Sequence, residues 1–141
     1  LDDEMVNALI FAAKRGVEVI IIMPHIPDKK YAWYLAHTYY QELIDNGVEI
    51  WEFLPGFVHA KVFVSDDDKA VVGTINLDFR SLYHHFECAA YMYKNPAVED
   101  IERDFRETLK KCVKIPRETC MRYPFYQKVI GRALRLIAPM M

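Results

Sequence analysis

The 141-residue chain carries 18 Lys and Arg against 20 Asp and Glu, a formal net charge of −2 with His neutral. Hydrophobic residues make up 52% and charged residues 27%, enough apolar side chains for one folded core and too balanced a mix for a disordered chain. That balance argues against nucleic acid as a partner, which usually calls for a clear basic excess, although local basic patches stay open. The three cysteines, Cys88, Cys112 and Cys120, are odd in number and follow no disulfide framework, so reduced thiols in a cytosolic compartment are expected. No CxxC or Cys/His set suggests a structural zinc. No apolar run approaches the roughly 18 to 20 residues that span a bilayer, and no signal peptide is visible. The chain lacks an initiator Met, which suggests a piece of a longer protein.

In chain order, Asp2 to Arg15 reads as a helix with Met5, Leu9, Ala12 and Ala13 on one side and Gly16 as its stop. "VEVIIIMP", Val17 to Pro24, is a continuous β-branched run and reads as a buried strand. A loop follows, then a helix from Tyr31 to Asn46 stopped at Gly47. "VEIWEFL", Val48 to Leu54, alternates as a strand does, and Pro55 and Gly56 break it. Val58 to Val64 and Lys69 to Ile75 form a hairpin around "SDDD". Phe86 to Tyr93 is another strand, and a helix runs from near Pro96 to about Cys112. After Pro116 the chain is helical from about Phe125 to Pro139. Alternating helices and strands predict a layered α/β domain, with the hairpin making the β-sheet mixed and helices flanking it. Neither a repeat nor a low-complexity segment interrupts the pattern.

The chemistry concentrates in "VHAKVFVSDDDKAVVGTINLDFRS", Val58 to Ser81. Side chains on a strand alternate faces, so His59 and Lys61 point the same way, and Thr74 and Asn76 share a face on or just beyond the next strand. A hairpin sets these pairs side by side. An imidazole, an ammonium, a hydroxyl and an amide suit a phosphoryl group better than a metal ion, and Gly73 lets the backbone come close. His59 can serve there as nucleophile or proton carrier near neutral pH.

The spacing HxK-x4-D-x6-G(S/T)-x-N is met without a gap by His59, Lys61, Asp66, Gly73, Thr74 and Asn76. It resembles the HKD signature of the phospholipase D superfamily. The extension "GTINLDFRSLYHHFE", the preceding "YYQELIDNGVEIWEF" and the terminal "RLIAPMM" resemble the second, C-terminal HKD half of bacterial cardiolipin synthases. The resemblance covers essentially residues 1–141 and implies a single phospholipase D-like domain from a longer two-HKD enzyme. It implies a two-step displacement at phosphorus through a phosphohistidine, with no metal and no cofactor. One HKD His attacks the phosphodiester; its counterpart protonates the leaving alcohol and then deprotonates the incoming one. Two phosphatidylglycerol molecules would give cardiolipin and glycerol. His59, Lys61 and Asp66 are then the catalytic set; Lys61, Thr74 and Asn76 bind phosphate; Glu87, Asp78 and Arg80 support them, with Glu87 holding the His59 ring. Read from the residues alone, Asp78 and Arg80 form an ion pair that fixes the loop after Asn76, with direct substrate contact as the alternative.

The residues also support plainer roles. Asp66 lies in the acidic turn "DDDK", where a turn and salt-bridge residue is expected. His84 and His85 read as loop residues, His25 and His37 as surface or loop residues, and Cys88 as a small hydrophobe packed in its strand. The aromatics Tyr31, Trp33, Tyr34, Tyr39 and Tyr40 read as helix packing. Near the C-terminus Lys128, Arg132 and Arg135 share one helix face, with Tyr126, Val129, Ile130, Ala133 and Ile137 largely opposite. Such a helix either lies on anionic lipid or packs on its own domain with a solvated basic face. Only one HKD motif is present, so the expected partner is an N-terminal HKD half of the same protein, or a second copy in a homodimer. The parent is expected at the cytoplasmic face of the cell membrane. Two alternatives stay open: another HKD phosphodiesterase, a phospholipase or nuclease, and a peripheral membrane-binding module without turnover.

Overall fold

A computed structural model describes residues 1–140. Helix α1 (Asp3–Lys14) starts where Asp2 accepts a hydrogen bond from the Met5 N–H at 2.7 Å. Asp3 and Glu4 add negative charge to its positive end. Strand β1 (Ile20–Pro24) begins later than the Val17 expected from composition. Its neighbour β2 (Glu49–Phe53) sets the limit: the parallel pairing runs from Ile20 opposite Glu49 to Pro24 opposite Phe53. Val17 instead bonds back to the Ala12 carbonyl at 3.2 Å and stays exposed. Between them α2 (Lys30–Asp45) buries Tyr39, Tyr40 and Leu43. It stops at Gly47, whose φ of +93° is the left-handed conformation that a side chain resists.

The hairpin follows as β3 (Val62–Ser65) and β4 (Lys69–Gly73), and β5 (Ala89–Tyr93) pairs antiparallel with β4. Asp66 and Asp67 both take left-handed backbone, φ +54° and +56°. That is the turn hand which matches strand twist, and Asp tolerates it. Helix α3 (Ala97–Leu109) ends before the expected Cys112, because Cys112–Lys114 forms a short strand, β6, antiparallel to β2. Three residues carry no readable alternation; their pairing with β2 makes the strand. Helices α4 (Arg117–Arg122) and α5 (Phe125–Ile137) complete the domain.

The architecture is the expected mixed α/β layering, with the strands divided into two small sheets, β1-β2-β6 and β3-β4-β5. The main core packs α1, α2 and α4 on the first sheet through Val6, Tyr39, Tyr40, Leu43, Val48, Ile50, Ile115 and Cys120. All three cysteines are free thiols. Cys120 is buried, but Cys88 is exposed just before β5 rather than packed in it.

Helix α5 lies close on α2. A Cβ on Gly131 would fall 2.5 Å from Thr38 Cγ2 and 2.7 Å from the Tyr34 carbonyl oxygen. Glycine therefore fixes which flank faces inward, and that flank also carries Lys128 and Arg135. Lys128 Nζ donates to the Met121 carbonyl at 2.9 Å, and Arg135 reaches Glu42 at 3.6 Å and Asp3 at 3.4 Å. The solvated side of α5 is thus largely apolar, which differs from the solvated basic face expected of a helix packed on its own domain. Phe125 is 81% and Leu136 84% exposed, with Tyr126, Val129, Ile130 and Ile137 also open. Among the described residues no helix is long and apolar enough to cross a membrane.

Candidate active site

Of the motif residues, His59, Lys61, Gly73, Thr74 and Asn76 gather at one end of the second sheet. β3 begins at Val62, not Val58, because β4 offers no partner beyond Gly73; the last rung is Gly73 N–H to the Lys61 carbonyl at 3.2 Å. His59 and Lys61 therefore stand on an extended lead-in to the strand. Lys61 Nζ donates to the His59 backbone carbonyl at 2.6 Å, which keeps the ammonium beside the imidazole-bearing residue. The His59 side chain is exposed, with the Phe57 ring 5.6 Å away centroid to centroid. Asn76 is exposed on the segment that leaves β4.

Gly73 has a steric reason to be glycine. A Cβ there would sit 2.5 Å from Ala89 Cα and closer still to the Cys88 carbonyl oxygen. This contact lets Thr74 lock onto the start of β5. The Thr74 N–H donates to the Cys88 carbonyl at 3.0 Å, its hydroxyl accepts from the Cys88 N–H at 3.1 Å, and the hydroxyl donates to Glu87 Oε2. The hydroxyl expected at the phosphate is thus occupied within the protein. Glu87, expected on the His59 ring, instead receives Thr74. Hydrogen bonds from Thr74 and then Ser81, followed by the positive fields of His85 and Lys61, hold its carboxyl below the usual range. Among the described residues the His59 ring has no hydrogen-bond partner.

Asp66 lies in the hairpin turn, at the end of β3 and β4 opposite His59. It accepts from the Ser65 hydroxyl at 3.1 Å and reaches Lys69 Nζ at 3.6 Å. Four strand residues separate it from Lys61, a span of roughly 13 Å or more. Asp78 and Arg80 are not paired with each other. Asp78 Oδ1 accepts from the Ser81 N–H at 2.8 Å and caps the single π-helical turn Arg80–His84, while Arg80 Nε donates to His85 Nε2 at 2.5 Å. His84 Nε2 lies 2.9 Å from the Pro139 carbonyl. The site thus offers one imidazole, one ammonium and one amide to solvent, braced from behind by Gly73, Thr74, Ser81 and Glu87. Ser81, only 9% exposed, joins this brace through Glu87, and its place at the end of "DFRS" is its one signal in the sequence.

A second polar cluster lies on the first sheet, outside every motif of the sequence. Glu52, 3% exposed on β2, sits 2.7 Å from His25 Nδ1. It is 3.3 Å from His37 Nε2, near enough for attraction but poorly aligned for a hydrogen bond. Burial pushes the Glu52 carboxyl up, but the contacts from His37 and then His25 outweigh it, and the group lies below its ordinary value. His37 is not the surface or loop residue expected: it lies within α2, and its side chain is 6% exposed and stacks on Tyr123 at 4.5 Å. The signal was Glu52 itself, a carboxylate on the inward face of β2 beside Ile50, where an acid needs a partner.

Residues 1–109 match the family described as cardiolipin synthase, PLD-like domain. An uncharacterized protein of Streptococcus mutans is 58% identical over 141 residues, all of this chain and 31% of that protein. A cardiolipin synthase 2 of Bacillus anthracis is 34% identical over 140 residues, 99% of this chain and 27% of that protein. A cardiolipin synthase of a Geobacillus strain is 36% identical over 140 residues, 99% of this chain and 28% of that protein. The chain therefore spans about 30% of the length of these curated relatives. In structure it resembles Nuc, a phospholipase D family member from Salmonella typhimurium, with a TM-score of 0.67 and 21% identity over 80% of this chain and 74% of that one. That likeness shows the fold alone; with the family match over most of the chain, it makes the protein a cardiolipin synthase-like member of the phospholipase D superfamily.

Proposed function

We propose that the chain is the HKD-bearing C-terminal part of a phosphatidyltransferase that joins two phosphatidylglycerol molecules into cardiolipin and glycerol. The observation that carries this reading is the exposed His59 imidazole with Lys61 held against its backbone, in a family match described as cardiolipin synthase. In the first step one HKD imidazole nitrogen attacks phosphorus. The P–O bond to the headgroup glycerol breaks, and glycerol leaves with a proton from the second HKD His. In the second step a headgroup hydroxyl of another phosphatidylglycerol attacks, the P–N bond breaks, and the second His takes the hydroxyl proton. Lys61 and Asn76 neutralise and bind the phosphate oxygens as charge redistributes. Asp66, far along the hairpin, holds the turn.

A second HKD half would complete the site. The exposed side chains of Val72, Tyr91 and Tyr93 on the second sheet support a covering partner. The relatives are more than three times as long, which leaves room for that half in the parent protein; a second copy is the alternative cover. The exposed apolar flank of α5 supports contact with the lipid surface that carries the substrate.

The test supplies isotope-labelled phosphatidylglycerol in vesicles to the full-length protein and quantifies products. Cardiolipin and glycerol in equal amounts are expected. Phosphatidic acid instead would establish the phospholipase reading, and absence of turnover would favour the lipid-binding module.

A further inference from the structure

A cavity of about 190 Å³ opens between α2, α4 and α5, built on elements other than those carrying His59. Its wall includes His37 and Gln41 from α2 and Gln127, Lys128, Arg132 and Arg135 from α5, and no carboxylate lines it. Arg135 is partly matched by Glu42 and Asp3, and Lys128 is turned toward the Met121 carbonyl. Arg132 has no acidic partner among the described residues. His37 lines it too; its Nε2 faces Glu52 Oε1 at 3.3 Å, and its Nδ1 has no hydrogen-bond partner among the described residues. Unsatisfied buried polar atoms are costly, and a native protein keeps them where water or a ligand completes them. Three cationic side chains and two amides line the cavity, and these donors seek acceptors.

We infer that this cavity is a binding site for a phosphate-bearing group, separate from the HKD site, with Arg132 and Lys128 supplying charge and Gln41 and Gln127 amide donors. The donors come from two helices and so suit the several oxygens of a tetrahedral oxyanion better than the two coplanar oxygens of a carboxylate. The volume leaves space beyond the phosphate for a small polar substituent such as glycerol. A lipid headgroup and a free phosphate share this chemistry.

Histidine-selective NMR of the full-length protein separates the sources. His37 signals, identified through their proximity to the Tyr123 ring, are followed while inorganic phosphate and short-chain phosphatidylglycerol are titrated in separate samples. A saturable shift is expected. The lipid acting at the lower concentration marks a headgroup site, and phosphate acting at the lower concentration marks a soluble ligand. Arg132→Ala is expected to weaken the effect about tenfold or more, the loss of one charge-assisted hydrogen bond. Lys61→Ala, which lies in the HKD site, is expected to leave it unchanged, and Arg132→Lys to restore it in part. His37 signals indifferent to both probes, or an affinity untouched by Arg132→Ala, would overturn the assignment.

Discussion

Replacing Gly73 with Ala tests how the motif is braced. The added Cβ would lie 2.5 Å from Ala89 Cα and nearer still to the Cys88 carbonyl oxygen. Both obstacles are backbone, so no side chain can swing aside, and β5 must retreat by roughly an ångström to reach ordinary contact. Overpacking of this kind costs about 1–3 kcal/mol. The retreat also strains the two hydrogen bonds between Thr74 and Cys88, worth about 1 kcal/mol each. The expected loss is therefore about 2–4 kcal/mol, read from the urea midpoint of the full-length protein. Gly56→Ala is the control, since nothing lies within 4 Å of a Cβ there and a change within about 0.5 kcal/mol is expected. Because Thr74 carries the chain on to Asn76, Gly73→Ala should also lower turnover under conditions where the protein remains folded, by about a hundredfold for an ångström of displacement. A Gly73→Ala protein as stable and active as Gly56→Ala would refute the close-approach argument.

Glu52→Gln removes the charge that His25 and His37 share and is expected to lower stability by about 1–3 kcal/mol in thermal or urea unfolding. Because the folded-state carboxyl lies below its ordinary value of 4.5, the unfolded chain binds more protons in that range. The stability from Glu52 is thus complete above pH 4.5 and is lost as pH falls through the lowered folded value. Glu52→Gln should flatten that acid limb; an unchanged pH profile would count against the cluster. Leu136→Glu places a charge on the exposed flank of α5 and should weaken co-sedimentation with phosphatidylglycerol vesicles severalfold without altering the unfolding midpoint; unchanged co-sedimentation would remove α5 from the lipid contact.

Much of the fold was legible because long elements carry their periodicity openly. α1, α2 and α5 show apolar spacing with Gly or Pro at their ends, and the hairpin is announced by an acidic turn between β-branched runs. What escaped depended on partners rather than pattern. β6 exists through its pairing with β2, and β3 starts only where β4 can face it. The hydrophobic stripe of α5 leaves two orientations open, and Gly131, which permits close contact with α2 on the basic flank, decides between them. At the site, spacing brought His59, Lys61, Gly73 and Thr74 to one end of the hairpin. It did not reveal that Thr74 and Glu87 satisfy each other, nor that Asp66 stands at the far end, since those facts depend on the register of β5 and the direction of the turn.

The most direct measurement is cardiolipin formation from labelled phosphatidylglycerol by purified full-length protein carrying His59→Ala, with the unfolding midpoint measured on the same sample. The His59 ring is exposed and makes no hydrogen bond among the described residues, so its removal should leave stability within about 0.5 kcal/mol of the parent. Turnover should fall by about a thousandfold or more, the effect of deleting a nucleophile or an essential proton carrier. A well-folded His59→Ala protein that still makes cardiolipin at near the parent rate would contradict the assignment of the chemistry to this site.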